Sequence, residues 1–396
     1  MTAELSRVVQ SDQTFLFGPG CAREPLGEEI AQRKWRRVAL LASNSAVKSG
    51  ARDDLMRLAL AGVETVVVDE PIAGHAPIAD SERIAQHLAG GTLDAIVALG
   101  GGSVSDTAKA VSILLAEGGR LEDHCSEFRP PDTFVNRVLS RPKTPVVAVA
   151  TTLSGAEVTP GGGATTASGV KRTFWDLQVA CRIIAYDTEL IGKVPSDILV
   201  STSMNALAHC AEGLYSRTSN PISTAQALHA ARLLSRGLRA VAVEPGAGGA
   251  DAGGSPVPDP ISELAAGAAL SGLVISNARV GLHHAICHVL GARLALPHGV
   301  ANSVMLPHVL RFNEPETASA QRDLSEAMER PGLPAGDVVA ELQHTVRAPR
   351  RLRDFGVRED QLDGVAAGTM QDRGLFFNPR RVSGPEEISG ILREAW

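Results

Sequence analysis

The sequence predicts an α/β protein in two parts: a doubly wound parallel sheet within residues 1–187 and an all-helical domain within residues 188–396. Three observations carry this. Short, nearly continuous apolar runs alternate with helix-like segments through the first half. A glycine-rich turn follows one of those runs. Past residue 196 strand signals fade, and Ala/Leu-rich helical periodicity takes over.

Taken in order, FLFGPG at 15–20 reads as a short edge strand and turn, and the segment from Leu26 to Gln32 as a helix. RVALLAS (37–43), TVVVDE (65–70), DAIVALG (94–100) and TPVVAVAT (144–151) follow as strands. Runs without alternation suit strands covered on both faces, the Rossmann-like arrangement, whose ligands bind beyond the carboxyl ends of the strands. At one such end stands Leu99-Gly100-Gly101-Gly102-Ser103, then VSDTAKAVSILL. The glycines let backbone approach an anion, Ser103 can cap, and Val104, Ala108, Val111 and Leu115 give the following helix its buried stripe. A phosphate-binding turn is the functional reading and a plain tight turn the bland one, since GGGS is not GxGxxG. Asp106, expected in the first turn, favours the helix dipole.

TTLSGAEVTPGGG (151–163) is placed for a second nucleotide-facing loop, or is simply polar. GVKRTFWD (169–176) is a Gly-led turn carrying Lys171 and Arg172, suited to an anionic substrate or to a hairpin tip. In the second half, residues 243–260 are too poor in large apolar side chains to pack and are expected to form a mobile surface loop. The tail from 374 supplies an NPR turn and a final amphipathic helix.

Residues 281–313, GLHHAICHVLGARLALPHGVANSVMLPHVLRFN, hold five of the eleven histidines. His284 and His288 are four apart on a helix marked by Leu282, Ile286, Val289 and Leu290, so both rings share one face. Pro297 and Gly299 bracket His298 where a helix would break, which lets its ring turn back. Upstream, Asn205 and His209 repeat the four-residue spacing. Three His with an oxygen ligand make a usual divalent-metal shell, with Asp the expected fourth partner; here a neutral Asn stands instead. Any one of these histidines is more simply a satisfied core residue, but the full set reads as a functional pocket.

The formal net charge of −6 and pI near 6.0 argue against nucleic acid or an anionic membrane as partner. Cysteines 21, 125, 181, 210 and 287 show no CxxC spacing, so a reducing compartment without disulfides fits, and Cys210 and Cys287 read as small buried filler. The first residues lack the apolar core of a secretory signal, and no apolar run approaches the roughly 18 residues of a membrane span. A cytoplasmic protein is expected.

GGGSVSDTAKA, the His209 helix and the segment 281–313 resemble the iron-containing alcohol dehydrogenase family, and the similarity extends over nearly the whole chain. The resemblance implies a dehydroquinate synthase-like architecture, with hydride transfer between the two domains, and a homodimer. Within the family the chain is similar to the maleylacetate reductases, which reduce maleylacetate to 3-oxoadipate with NADH or NADPH in aromatic-ring catabolism. Asn205 in place of the metal-binding Asp, the short form of TTLSGAEVTP, GVKRT and the NPR tail favour that branch, whereas PHGVANSVMLPHVLRFN is similar to the metal-dependent one.

On this resemblance His209, His284 and His298 surround the substrate's carbonyl and carboxylates with Asn205, His288 is the candidate proton donor, and Lys171 and Arg172 neutralise a carboxylate of a small anionic substrate. Gly101, Gly102 and Ser103, with Asp106 behind them, meet the cofactor diphosphate. Thr151 and Thr152 lie on the nicotinamide side, and Asn44 lies near the adenosine ribose, where a neutral side chain tolerates NADPH beside NADH. No divalent metal is expected; if one binds, its ligands are His209, His284 and His298 with Asn205. The alternatives are a metal-dependent (Fe or Zn) alcohol dehydrogenase, a biosynthetic reductase of another unsaturated or keto acid, and a non-catalytic nucleotide-binding protein.

Overall fold

The computed structural model describes residues 8–70, 72, 74–129, 133–242 and 259–396. The chain divides into two compact units, one built chiefly from Ser11–Glu127 and Phe134–Pro195, the other chiefly from Ser196–Trp396.

Among the described residues, ten strands follow the chain: β1 (Thr14–Gly18), β2 (Arg37–Ala42), β3 (Glu64–Val67), β4 (Ala95–Gly100), β5 (Glu127–Arg129), β6 (Thr133–Val135), β7 (Val146–Ala150), β8 (Gly161–Thr165), β9 (Lys171–Trp175) and β10 (Ile183–Asp187); all but parts of β5 and β6 lie in the first unit. Six form one sheet in the order β1-β10-β7-β4-β2-β3, and every pairing in it is parallel. The runs AIVALG and VVAVA are buried at every position, which is why they read as unbroken apolar stretches: helices shield a parallel sheet on both faces. The expected edge strand is indeed at the edge, with Phe15 opposite Ile184.

The strand order reverses between β2 and β4, since one branch continues to β3 and the other through β7 to β10. At that reversal the carboxyl ends of neighbouring strands are tied: Ser43 N–H donates to Leu99 O at 2.9 Å and Thr151 N–H to Gly100 O at 3.0 Å. Open α/β sheets bind ligands at such a point.

Two expectations for this unit are corrected. Gly161–Gly163 do not belong to an irregular polar loop but to β8, antiparallel to β9. Glycine carries no strand propensity, and here the partner strand supplies the reason for it: a Cβ on Gly161 would lie 2.5 Å from Trp175 Cε3, one on Gly162 2.5 Å from Phe174 Cζ, and one on Gly163 2.3 Å from Lys171 Cε. Asp106 is not in the first turn of its helix, Gly102–Glu117, but one turn further along.

The second unit is helical. Its central helix, Ser196–Tyr215, is buried over almost its whole length, so it lacks an amphipathic stripe. Around it run Pro221–Ala242, Pro260–Asn277, Leu282–Leu294, His298–Ala327, Ala335–Thr345, Leu362–Thr369 and Pro385–Ala395. One apolar cluster joins Leu282, Ile286 and Leu290 to Val304, Met305, Leu362, Val365, Ile388 and Leu392. It contains Cys287, and all five cysteines are buried thiols outside any disulfide. The loop expected at 243–260 falls, for residues 243–258, outside the described residues; Asp259 caps the helix that begins at Pro260.

A methyl group at Gly162 has no room against the buried Phe174 ring. Gly162→Ala is therefore expected to lower unfolding free energy by about 1–3 kcal/mol in urea titrations, whereas Gly90→Ala, where no atom lies within 4 Å, should change it by less than about 0.5 kcal/mol.

Candidate active site

In the sheet unit, the turn after β4 starts the helix Gly102–Glu117 with Gly101 as N-cap and no side chain capping it. Ser103, expected to cap, has another bond: its Oγ accepts the His75 N–H at 3.0 Å. The glycines are required for a reason beyond ligand access. A Cβ on Gly101 would lie 2.8 Å from Thr152 Oγ1 and one on Gly102 2.9 Å from Ser154 Oγ, so the loop after β7 packs directly onto the turn. Gly101, Gly102, Thr151 and Thr152 are thus gathered at the ends of β4 and β7. Asn44 is exposed and opens a short helix just after β2.

Asp106 does not face outward as a dipole partner. Its Oδ2 accepts the Gly163 N–H at 3.0 Å, and burial, opposed by Lys109 and Lys171, raises its pKa. Lys109, fully buried, donates to the carbonyls of Ala156 (2.5 Å), Thr159 (2.6 Å) and Gly161 (3.0 Å). The helix behind the turn is therefore pinned to both β8 and the loop before it. Lys171 and Arg172 lie exposed on β9. The Lys171 charge acts on Asp106 and His75, and that of Arg172 on Cys125.

The helical unit brings the predicted histidines together. His209 stacks on His284, with ring centroids 4.7 Å apart and planes at 18°. His298 lies 5.9 Å from His284 and 6.0 Å from His288, and His284 lies 6.2 Å from His288. Asn205 is buried one turn before His209 on the same helix. Three long-range contacts tie the His284 helix and the helix that begins at His298 to the segment 378–380. Asn378 Oδ1, from the NPR turn, accepts the Leu282 N–H at 3.3 Å and the Asn313 Nδ2–H at 3.0 Å, while Arg380 stacks on Phe312 at 3.9 Å.

Sequence reasoning missed the groups that orient these rings. Glu212, fully buried, accepts the His283 N–H through Oε1 at 2.9 Å and the His284 Nδ1–H through Oε2 at 2.5 Å. Burial raises the Glu212 pKa, against the pull of His283 and three backbone N–H groups. His283 donates from Nε2 to Asn302 O at 3.1 Å; burial first, then the charge of His284, lowers it to about 4, so it is neutral at pH 7. His288 donates from Nδ1 to Asp372 Oδ2 at 2.9 Å. Glu212 shared a helix face with Asn205 and His209, three residues beyond the latter, and could have been found by that spacing. Asp372 comes from a distant segment with no local signal.

Arg279 and Arg373 add positive charge beside this frame. Burial and then the Arg373 charge lower Arg279 to about 10. Their segments touch, since a Cβ on Gly374 would lie 2.4 Å from Gly281 O.

Beside the ligand set expected if a metal binds, His209, His284 and His298 with Asn205, the geometry offers a second candidate group. Among the described residues, Glu212, His283 and His284 form a group of His, Cys, Asp and Glu side chains whose ligand atoms lie close enough together to hold an ion. Only His284 is common to both sets. Ligand atoms around a tetrahedral ion at 2.0–2.1 Å stand roughly 3.3 Å apart, and the Glu212–His284 contact is shorter than that. An ion there would replace that hydrogen bond.

Two family models match the chain, iron-containing alcohol dehydrogenase over residues 12–188 and the C-terminal model of the Fe-containing alcohol dehydrogenase family over residues 199–396. The chain is 30% identical to maleylacetate reductase 1 of Rhodococcus opacus over 385 residues, covering 96% of this chain and 93% of that protein. It is 32% identical to 1,3-propanediol dehydrogenase of Citrobacter freundii, covering 96% of each. The crystal structure of maleylacetate reductase from Agrobacterium tumefaciens superposes with a TM-score of 0.80 at 25% identity, over 100% of this chain and 99% of that one.

Burial works against the charge of Asp372, but the His288 charge and hydrogen bond, with the Gly374 N–H, outweigh it and hold the carboxyl at about 2. A carboxyl depressed on folding stabilises the fold above its unfolded pKa, about 3.9, and loses that contribution as pH falls toward 2. The stability gap between the protein and Asp372→Ala is expected to be about 2 kcal/mol near pH 6 and to narrow steadily below pH 4, measured by urea unfolding at a series of pH values.

Proposed function

Because this chain belongs to the iron-containing alcohol dehydrogenase family and is an oxidoreductase, we propose that it reduces the enone of maleylacetate to 3-oxoadipate with NADH or NADPH, in aromatic-compound catabolism, without requiring a divalent metal. The observation that carries this reading is the histidine set converging around His284 beside a neutral Asn205. An alcohol dehydrogenase must stabilise a localised alkoxide, for which a Lewis-acid cation is suited. Enone reduction spreads negative charge into an enolate, which hydrogen-bond donors can stabilise.

A reduced nicotinamide, when bound, supplies hydride to the carbon β to the ketone. On this reading Gly101, Gly102 and Ser103 hold its diphosphate, Thr151 and Thr152 its nicotinamide side, and Asn44 the ribose end, where a neutral residue does not repel a 2′-phosphate. His209, His284 and His298, with Asn205, donate hydrogen bonds to the developing enolate oxygen and the carboxylates. His288 delivers the proton to the α carbon, completing addition of one hydride and one proton across the double bond. Positive charge for an anionic substrate is available at Arg279 and Arg373 in the helical unit and at Lys171 and Arg172 in the sheet unit. Five buried cysteines outside any disulfide support a reducing, cytoplasmic setting.

A second reading, a metal-dependent alcohol dehydrogenase, is favoured by the Glu212–His283–His284 group and by the comparable identity to a 1,3-propanediol dehydrogenase. A substrate panel separates the two. With NADH and NADPH, kcat/KM for maleylacetate is expected to exceed that for three-carbon aldehydes by at least about 100-fold, since a site built for carboxylates discriminates strongly against ligands lacking them. The reverse order would sink the proposal and favour the second reading.

A further inference from the structure

In the second histidine–carboxylate pair of the helical unit, His288 has a role in the function as stated so far and its partner Asp372 has none. His288 Nδ1 lies 2.9 Å from Asp372 Oδ2, and the other oxygen, Oδ1, accepts the Gly374 N–H at 2.8 Å. Both side chains are mostly buried, at 16% and 17% exposed. A carboxylate only accepts, so the proton of this bond sits on the imidazole Nδ1, and Nε2 is left as the nitrogen that takes up or releases a proton.

The carboxylate is itself rigidly placed. Segment 372–374 packs onto the start of the His288 helix so closely that a Cβ on Gly374 would lie 2.4 Å from Gly281 O and 3.1 Å from Ala285 Cβ. The backbone of the same segment continues to Asn378, which ties the first turn of that helix through the Leu282 N–H. Asp372 is therefore held by its own chain against the element that carries His288, 84 residues away. The His298 ring lies beside it, nearly parallel in orientation, with centroids 6.0 Å apart and planes at 11°. The hydrogen bond to this fixed carboxylate restricts the orientation of the His288 ring.

We propose that Asp372 is a positioning residue for the reaction: it fixes the tautomer and the orientation of His288, so that Nε2 is the atom presented for proton transfer. This rests on the reading of His288 as the proton donor. The neighbouring carboxylate, Glu212, does the same for His284 through its Nδ1, so two rings of the set present the same nitrogen. Orienting partners of this kind commonly change rate or affinity by 10-fold to 100-fold when removed.

The test combines a spectroscopic and a kinetic readout on the full chain. In 15N-histidine-labelled protein above pH 8, with the His288 signals assigned by their loss in His288→Gln, the wild type is expected to show the Nδ1–H tautomer. Asp372→Asn, whose amide can donate as well as accept, is expected to lose that preference. In the same variant kcat should fall at least tenfold with both KM values within threefold, and Asp372→Asn combined with His288→Gln should be no slower than His288→Gln alone. An unchanged tautomer in Asp372→Asn overturns the proposal, as does an altered tautomer with kcat within threefold of wild type. If wild type reduces an aldehyde and not maleylacetate, the substrate reading has failed, and the same variants measured on that aldehyde still decide the role of Asp372 by the same criteria.

Discussion

The helical unit depends on a buried carboxylate. Glu212 sits in the middle of the most buried helix, at 0% exposure, where an uncompensated charge or polar group would cost several kcal/mol. Its two oxygens are both used, one on the His283 N–H and one on the His284 ring. This links the central helix to the first turn of the His284 helix and sets which nitrogen of His284 is protonated. His283, neutral and bonded to Asn302 O, closes the network toward the helix that begins at His298. The convergence of His209, His284, His288 and His298 follows from that arrangement of three helices.

The sheet unit reaches a comparable result by a different route. Its turn after β4 is shaped by neighbours that fill every space a side chain would need: Thr152 beside Gly101, Ser154 beside Gly102, and Val104 beside Gly100, whose φ of +157° only glycine adopts easily. Lys109 and Asp106, buried behind the turn, attach its helix to the 156–163 segment. The mouth of the turn is left without a capping side chain, which suits a backbone site for an anion.

Much of this was legible in the sequence where the signal is local. Buried parallel strands announce themselves as unbroken apolar runs, and AIVALG and VVAVA lie where those runs do. Four-residue spacing put His284 with His288 and Asn205 with His209 on single helices, and the His284 ring lies 4.7 Å from His209 and 6.2 Å from His288. What could not be read was supplied by partners distant in sequence. β8 is made of glycines because Trp175, Phe174 and Lys171 occupy the space across the ladder. Ser103 and Asp106 were misread for the same reason, since His75 and Gly163 claim them. The orienting acids follow the same division: Glu212 shares a helix face with His209, whereas Asp372 reaches His288 from another part of the chain.

The central claim is that this histidine set stabilises an enolate by hydrogen bonds, with Asn205 where a metal site would need a carboxylate. It is tested most directly by NAD(P)H oxidation with maleylacetate, using protein stripped with a chelator and then resupplied with Zn²⁺ or Fe²⁺, with metal content measured in each sample. Full activity in the stripped protein, unchanged on resupply, is the predicted result. Activity that appears only with bound metal would contradict it and move the chemistry to an ion held at the histidine set, by His209, His284 and His298 with Asn205 or by Glu212, His283 and His284.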